Sequence, residues 1–108
     1  MKTYRGLRIN GDATVIVEED GQEPRPLRHH VRHSPDGFEW GYGGSGPADT
    51  ARCILLDAMQ AEPSAGCYND FKWQVIAHFP KEGFTLTGDE IHKWHREWLA
   101  FRASMNPD

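Results

Sequence analysis

The residues best placed to do chemistry are Gly43-Gly44-Ser45-Gly46, four small residues directly ahead of a helical pattern that opens at Pro47. A glycine-rich turn that feeds a helix start can present backbone N–H groups to a phosphate or carboxylate. No lysine follows as in G-x-x-x-x-G-K-[ST], and the spacing misses the dinucleotide fingerprint, so neither nucleotide motif is present. The glycines also have a structural reading, because they permit positive φ and close strand-to-helix packing. Ser45 lacks the G-x-S-x-G pattern of a nucleophile elbow. Glu39 and Asp49 are the nearest carboxylates, but Glu39 is expected on the sheet face opposite Phe38 and Trp40, away from Asp49. No catalytic residue is assigned.

The six histidines raise a metal reading. His92 and His95 lie three apart in a helical pattern, and Asp89 or Glu97 can add a carboxylate. His29 and His33 are ~13 Å apart in an extended chain, too far to share one ion. There is no H-E-x-x-H and no paired cysteines, so neither metal nor cofactor is assigned. Arg5, Arg8, Arg25, Arg28 and Arg32 are the best argument for nucleic acid, but acidic residues at 18–20 and 23 interrupt the set.

These residues need elements to hold them. Tyr4 to Ile9 and Ala13 to Val17 read as two strands joined at Asn10-Gly11, a strong hairpin signal. Arg28 to His33 is a third strand, Ser34-Pro35-Asp36-Gly37 a type I turn, and Phe38 to Tyr42 a fourth strand with alternating aromatic residues. Pro47 to Met59 is the first helix, with Ala48, Ala51, Ile54, Leu55 and Ala58 on one side. Asn69 is the expected cap of a second helix, Asp70 to Phe79. Phe84 to Leu86 is either a short edge strand or an extended lead-in. Thr87-Gly88-Asp89-Glu90 has the form of a capping box for a third helix, Gly88 to about Arg102, with Leu86 stapled on Ile91. Asn106-Pro107-Asp108 should fray. The expectation is a single α+β domain over 1–108, a small antiparallel sheet of about four strands against three helices, ordered ββββαα(β)α. Trp40 should be buried against the first helix.

The formal net charge of −4 is uneven. Residues 34–108 hold six basic and eleven acidic residues, which argues against a phosphate-binding basic face and suits a basic partner. Cys53 and Cys67 show no C-x-x-C spacing and read as reduced thiols. No apolar run reaches a membrane span, and the N-terminus lacks a signal-like apolar stretch, so cytoplasm is the expected location.

Tyr4-Arg5-Gly6, Phe38-x-Trp40-Gly41-Tyr42-Gly43-Gly44-Ser45-Gly46-Pro47-Ala48-Asp49-x-Ala51, Tyr68-x-x-Phe71-Lys72 and Gly83-Phe84-x-Leu86 together resemble a family of small uncharacterised proteins encoded by bacteria and their phages. The resemblance implies that residues 40–49 and Lys72 form a shared framework, with Lys72 near the glycine turn. It supplies no catalytic residue. Small phage-related proteins of this kind include inhibitors of bacterial defence systems.

The favoured expectation is a small acidic protein-binding module, an inhibitor of a bacterial defence complex such as a CRISPR effector, acting by surface occlusion. Its contact set is Tyr68, Asp70, Trp73, Asp89, Glu90, Trp94, Glu97 and Trp98, aromatic anchors with a charged rim. An exposed aromatic helix face would equally make a homodimer. The alternative is an anion- or nucleotide-binding domain, with or without enzymatic activity, built from Gly43, Gly44, Ser45, Gly46, Arg52 and Lys72.

Overall fold

The computed structural model describes residues 1–105, so the expected fraying of residues 106–108 lies outside the described residues. The elements are β1 (Lys2–Ile9), β2 (Asp12–Glu19), β3 (Arg25–Pro26), α1 (Ser45–Met59), α2 (Ala65–Gln74), a 3₁₀ turn (Ile76–His78), β4 (Phe84–Thr87) and α3 (Gly88–Met105). The sheet is antiparallel in the order β3-β2-β1-β4. The α+β class, four strands and three helices agree with the sequence reading, but the strands are not all the expected ones.

The first hairpin forms as read. Asn10 and Gly11 both take positive φ, 53° and 86°, which matches the twist of the two strands they join. Residues 28–33 and 38–42 are not strands, because their backbone groups bond elsewhere. The N–H groups of Arg32 and His33 go to the Asp49 carboxylate, and the His30 carbonyl accepts from Arg52. The N–H and carbonyl of Glu39 both bond the Thr50 hydroxyl, and the Gly41 N–H bonds the Ile76 carbonyl. A segment whose polar backbone is satisfied this way has no ladder to join. The vacant sheet positions are filled by two short segments. Arg25–Pro26 pairs with β2 at one edge, where a proline is tolerated. Phe84–Thr87 pairs with β1 at the other.

The second helix also starts earlier than expected. Ser64, not Asn69, is its cap, with its hydroxyl accepting from the Cys67 N–H at 3.1 Å. The helix ends at Gln74 and tightens into the 3₁₀ turn before Pro80. At α3 the capping box forms in full. The Glu90 N–H donates to the Thr87 hydroxyl at 3.1 Å and the Thr87 N–H to the Glu90 carboxylate at 3.0 Å.

The core lies between the sheet and the helices. Tyr4, Val15 and Val17 come from the sheet, Ala51, Ile54 and Leu55 from α1, Phe71 from α2 and Ile91 from α3. Trp40 is buried, as expected. It meets Phe84 edge-on at 5.0 Å between ring centroids and carries the Arg8 guanidinium on its face at 4.5 Å. Phe84 also stacks on Phe79 at 4.2 Å.

Gly6 lies directly under the Phe84 ring. A Cβ at Gly6 would stand 2.1 Å from a ring carbon that Trp40 and Phe79 already hold in place. Gly6→Ala is therefore expected to lower stability by about 1–3 kcal/mol, read from the urea midpoint at unchanged slope.

Candidate functional site

Four polar residues on α1 each tie down a different part of the chain. Asp49 is fully buried. Its carboxylate accepts from the N–H groups of Arg32 at 3.2 Å, His33 at 3.0 Å and Ser34 at 3.0 Å, and from His29 Nε2 at 2.8 Å. Burial opposes ionisation, but the hydrogen bonds from His29, Ser34, Arg32 and His33 outweigh it and hold the carboxyl below the ordinary aspartate range. Thr50 binds Glu39 from both sides. Arg52 donates to Glu62 at 2.7 Å and to the His30 carbonyl at 2.8 Å. Asp57 accepts from the Tyr4 hydroxyl at 2.6 Å, Arg25 at 2.9 Å and Lys2 at 3.1 Å. Burial again opposes its ionisation, and these three donors hold the carboxyl low.

The loop fastened by Asp49 delivers His33 to the rim of a groove. The groove has a volume of about 530 Å³. Gly44, Ser45 and Ala48 line it from the start of α1, and Ala65, Gly66, Tyr68, Asn69 and Lys72 from α2. His33 Nε2 and the Tyr68 hydroxyl close one side with a 2.7 Å hydrogen bond. Two helix starts therefore open on one space. The first N–H groups of a helix have no intrahelical acceptor, and they carry the positive end of its dipole. Gly44 caps α1 without a side chain. Ser64 satisfies only the third N–H of α2, that of Cys67, which leaves Ala65 and Gly66 on the groove wall.

Lys72 completes the arrangement. It is only 9% exposed. Among the described residues its ammonium has no carboxylate or hydrogen-bond partner, and its recorded contact is the face of Trp73, 4.5 Å from the ring centre. No Asp or Glu lines the groove. The burial is mostly that of its stem, and the unpaired ammonium itself keeps contact with solvent.

The structure brings together Gly44, Ser45 and Lys72 of the anion set read from sequence. Gly43 lies behind the wall against Trp73, and Gly46 is buried against Glu39. Arg52 is not brought to them: its guanidinium donates to Glu62 and the His30 carbonyl and does not line the groove. His33, Asn69, Ala65 and Gly66 were absent from that set. The one local signal for them was Ser64 after Pro63, a helix-cap residue that would have moved the start of α2.

The protein-binding set is spread out. Asp70 accepts from Trp98 Nε1 at 2.8 Å, and Trp94 stacks with Trp98. Together with Glu97 and Phe101, these tryptophans line a shallow depression. Asp89 and Glu90 sit in the first turn of α3, away from that depression. Tyr68 is buried in the groove wall, and Trp73 is half-exposed on α2. Beyond Trp98, Leu99, Phe101 and Met105 are exposed by 49%, 63% and 64%.

Cys53 and Cys67 are free and buried, and burial pushes both thiols up. No helix among the described residues is long and apolar enough to cross a membrane.

A family model covers residues 4–97 of the chain. The protein belongs to the family of unknown function DUF6166. Neither a search of curated proteins nor a search of solved structures finds a match. The whole groove of this DUF6166 member falls within the matched span, whereas Leu99, Phe101 and Met105 lie beyond it.

Asp49 ionises more readily in the fold than in the unfolded chain, so the unfolded chain binds more protons at acid pH. Its contribution is complete above the ordinary aspartate value of 3.8 and is lost as pH falls through the lower folded value. Asp49→Asn removes the charge from four donors and is expected to cost about 2–5 kcal/mol at neutral pH. The deficit against the parent chain should shrink as denaturation is repeated from pH 6 down to about pH 3.

Proposed function

We propose that this DUF6166 protein is an anion-binding domain whose ligand carries a phosphate-type group into the groove between α1 and α2. The observation that carries this is Lys72, a lysine whose side chain lies along the groove wall with its ammonium reaching solvent and without an anionic partner, beside two helix starts. A phosphate there accepts from Lys72, from the free N–H groups at Ser45 and Gly66, and from the Ser45 hydroxyl. Charge-assisted bonds of this kind are stronger than neutral ones, and the helix dipoles add to them. The position of the groove inside the family-matched span also favours it as the seat of a shared function.

The test is titration with inorganic phosphate, followed by amide chemical shifts and by calorimetry. Shifts should concentrate at Gly44, Ser45, Gly66 and Lys72. Lys72→Met keeps the stem over Trp73, removes the charge, and should weaken binding at least tenfold, about 1.4 kcal/mol or more. Shifts scattered over the surface, or unchanged affinity in Lys72→Met, would reject the reading.

A second reading rests on a different observation, the exposed Leu99, Phe101 and Met105 on the last turns of α3. On this reading the chain is a protein-binding module that occludes a partner's surface. Its narrowest form is a phage-encoded inhibitor of a bacterial defence complex such as a CRISPR effector. Two of its acidic contacts have less to offer a partner, because Asp70 accepts from Trp98 Nε1 and Glu90 is engaged in the cap of α3. Apolar docking through α3 is the form these contacts favour. It predicts that a defined host protein is recovered with the parent chain and with Lys72→Met, and is lost with Phe101→Glu. Recovery that Phe101→Glu leaves unchanged would count against it.

A further inference from the structure

The large apolar residues along one side of α3 recur in steps of three and four: Ile91, Trp94, Trp98, Phe101 and Met105. That is the spacing of a seam between two helices packed along their length. The body of the protein covers only its first part. Ile91 is buried in the core. Trp94 meets Phe71 edge-on and donates to Gln74, and Trp98 donates to Asp70, so α2 runs antiparallel beside α3. The contact continues back to Gly66, where an added Cβ would lie 3.7 Å from Arg102 Nη1. α2 begins one residue earlier, at Ala65. α3 goes on to Met105, and every residue from Leu99 to its end is exposed. The seam therefore outruns its partner, and its last two members, Phe101 and Met105, lie 63% and 64% open to solvent.

Beside this free end is the depression lined by Gln74, Trp94, Glu97, Trp98 and Phe101, about 290 Å³ in volume. Both indole N–H groups are engaged, by Gln74 and Asp70, so ring surface is what the two tryptophans offer. Arg102 lies over Trp98 at 5.1 Å but does not line the depression. Ring surface of this kind suits an apolar or thioether side chain. Met105 is such a side chain, but about 17 Å of helix separates it from Trp94 of its own chain. We infer that α3 pairs antiparallel with α3 of a second copy, each copy laying Met105 over the other's Trp94 and Phe101 over the other's Trp98. In a two-fold pair each contact occurs twice, so one helix supplies both the projecting residues and the hollow that receives them. Charge permits the approach. Between Trp94 and Met105 the charged residues are Arg96, Glu97 and Arg102, so this stretch lacks the acidity of the whole chain, −4, and like-charge repulsion does not oppose the contact. The depression shares no lining residue with the groove between α1 and α2. The inference rests instead on the second reading, docking through the apolar end of α3, and names the partner as a copy of the chain.

The experiment is analytical ultracentrifugation of the full chain over about a hundredfold range of concentration. The mass should rise from one copy to two, reversibly, because a seam this short is small for a permanent interface. Phe101→Glu and Met105→Glu should each hold the chain at one copy. Leu99→Glu is the control. Leu99 is also exposed, but it lies two residues from Phe101, about 200° around the helix and off the seam, so this variant should dimerise like the parent. Circular dichroism checks that each variant folds. Register is read by oxidising a mixture of Glu97→Cys and Ser104→Cys chains. Antiparallel seams bring these two positions side by side across the copies, while each lies about 10 Å along the axis from its own counterpart. A disulfide between unlike variants is expected, and neither variant should cross-link with itself. A parent chain that stays monomeric throughout would overturn the pairing, and the host protein of the second reading would then be the remaining occupant of α3. A Leu99→Glu chain as monomeric as Phe101→Glu would overturn it too, as would disulfides between like variants only.

Discussion

The fold depends on a carboxylate placed where a helix meets an irregular loop. Asp49 is fully buried, and it remains charged because three consecutive backbone N–H groups and a histidine converge on it. An unpaired charge in that position would cost several kcal/mol. The loop from His29 to Ser34 has no regular structure of its own, and its N–H groups would otherwise need water or a ladder. Each side supplies what the other lacks. The pairing sets the path of the loop, and the path of the loop sets His33 beside Tyr68.

α1 repeats this arrangement along its length. Thr50 holds the chain at Glu39, Arg52 holds the His30 carbonyl and the linker at Glu62, and Asp57 gathers Lys2, Tyr4 and Arg25 from the sheet. Meanwhile Ala51, Ile54 and Leu55 supply its apolar contribution to the core. The helix is both a hydrophobic wall and a row of polar fasteners. That explains how a sheet with a two-residue edge strand can be anchored to the helical layer, and how a groove wall can be assembled from residues as far apart in sequence as 33 and 72.

Local chemistry was readable in the sequence, and long-range substitution was not. Asn10-Gly11 and Thr87-x-x-Glu90 act within four residues, and both formed as read. The burial of Trp40 and the helix start beside the glycines were also legible, because a ring pattern meeting Pro47 leaves few alternatives. Phe38 to Tyr42 alternates like a strand, yet a threonine hydroxyl and an isoleucine carbonyl took its backbone bonds. No local pattern announces such partners. Ser64 and Asn69 were both competent caps, and only packing chose between them. For the groove, Lys72 came from the family resemblance, while His33 and Tyr68 meet across 35 residues of chain. Arg52 stands outside the groove, with its guanidinium bonded to Glu62 and the His30 carbonyl.

The two native thiols lie in the interior, and their surroundings raise the cost of forming a thiolate. The nucleophilic form is the one that reacts with electrophiles and oxidants. The folded protein therefore offers soft alkylating reagents little to attack. A single cysteine introduced on the surface becomes the one site a maleimide dye will label, with no need to strip out Cys53 or Cys67 and disturb the packing they fill.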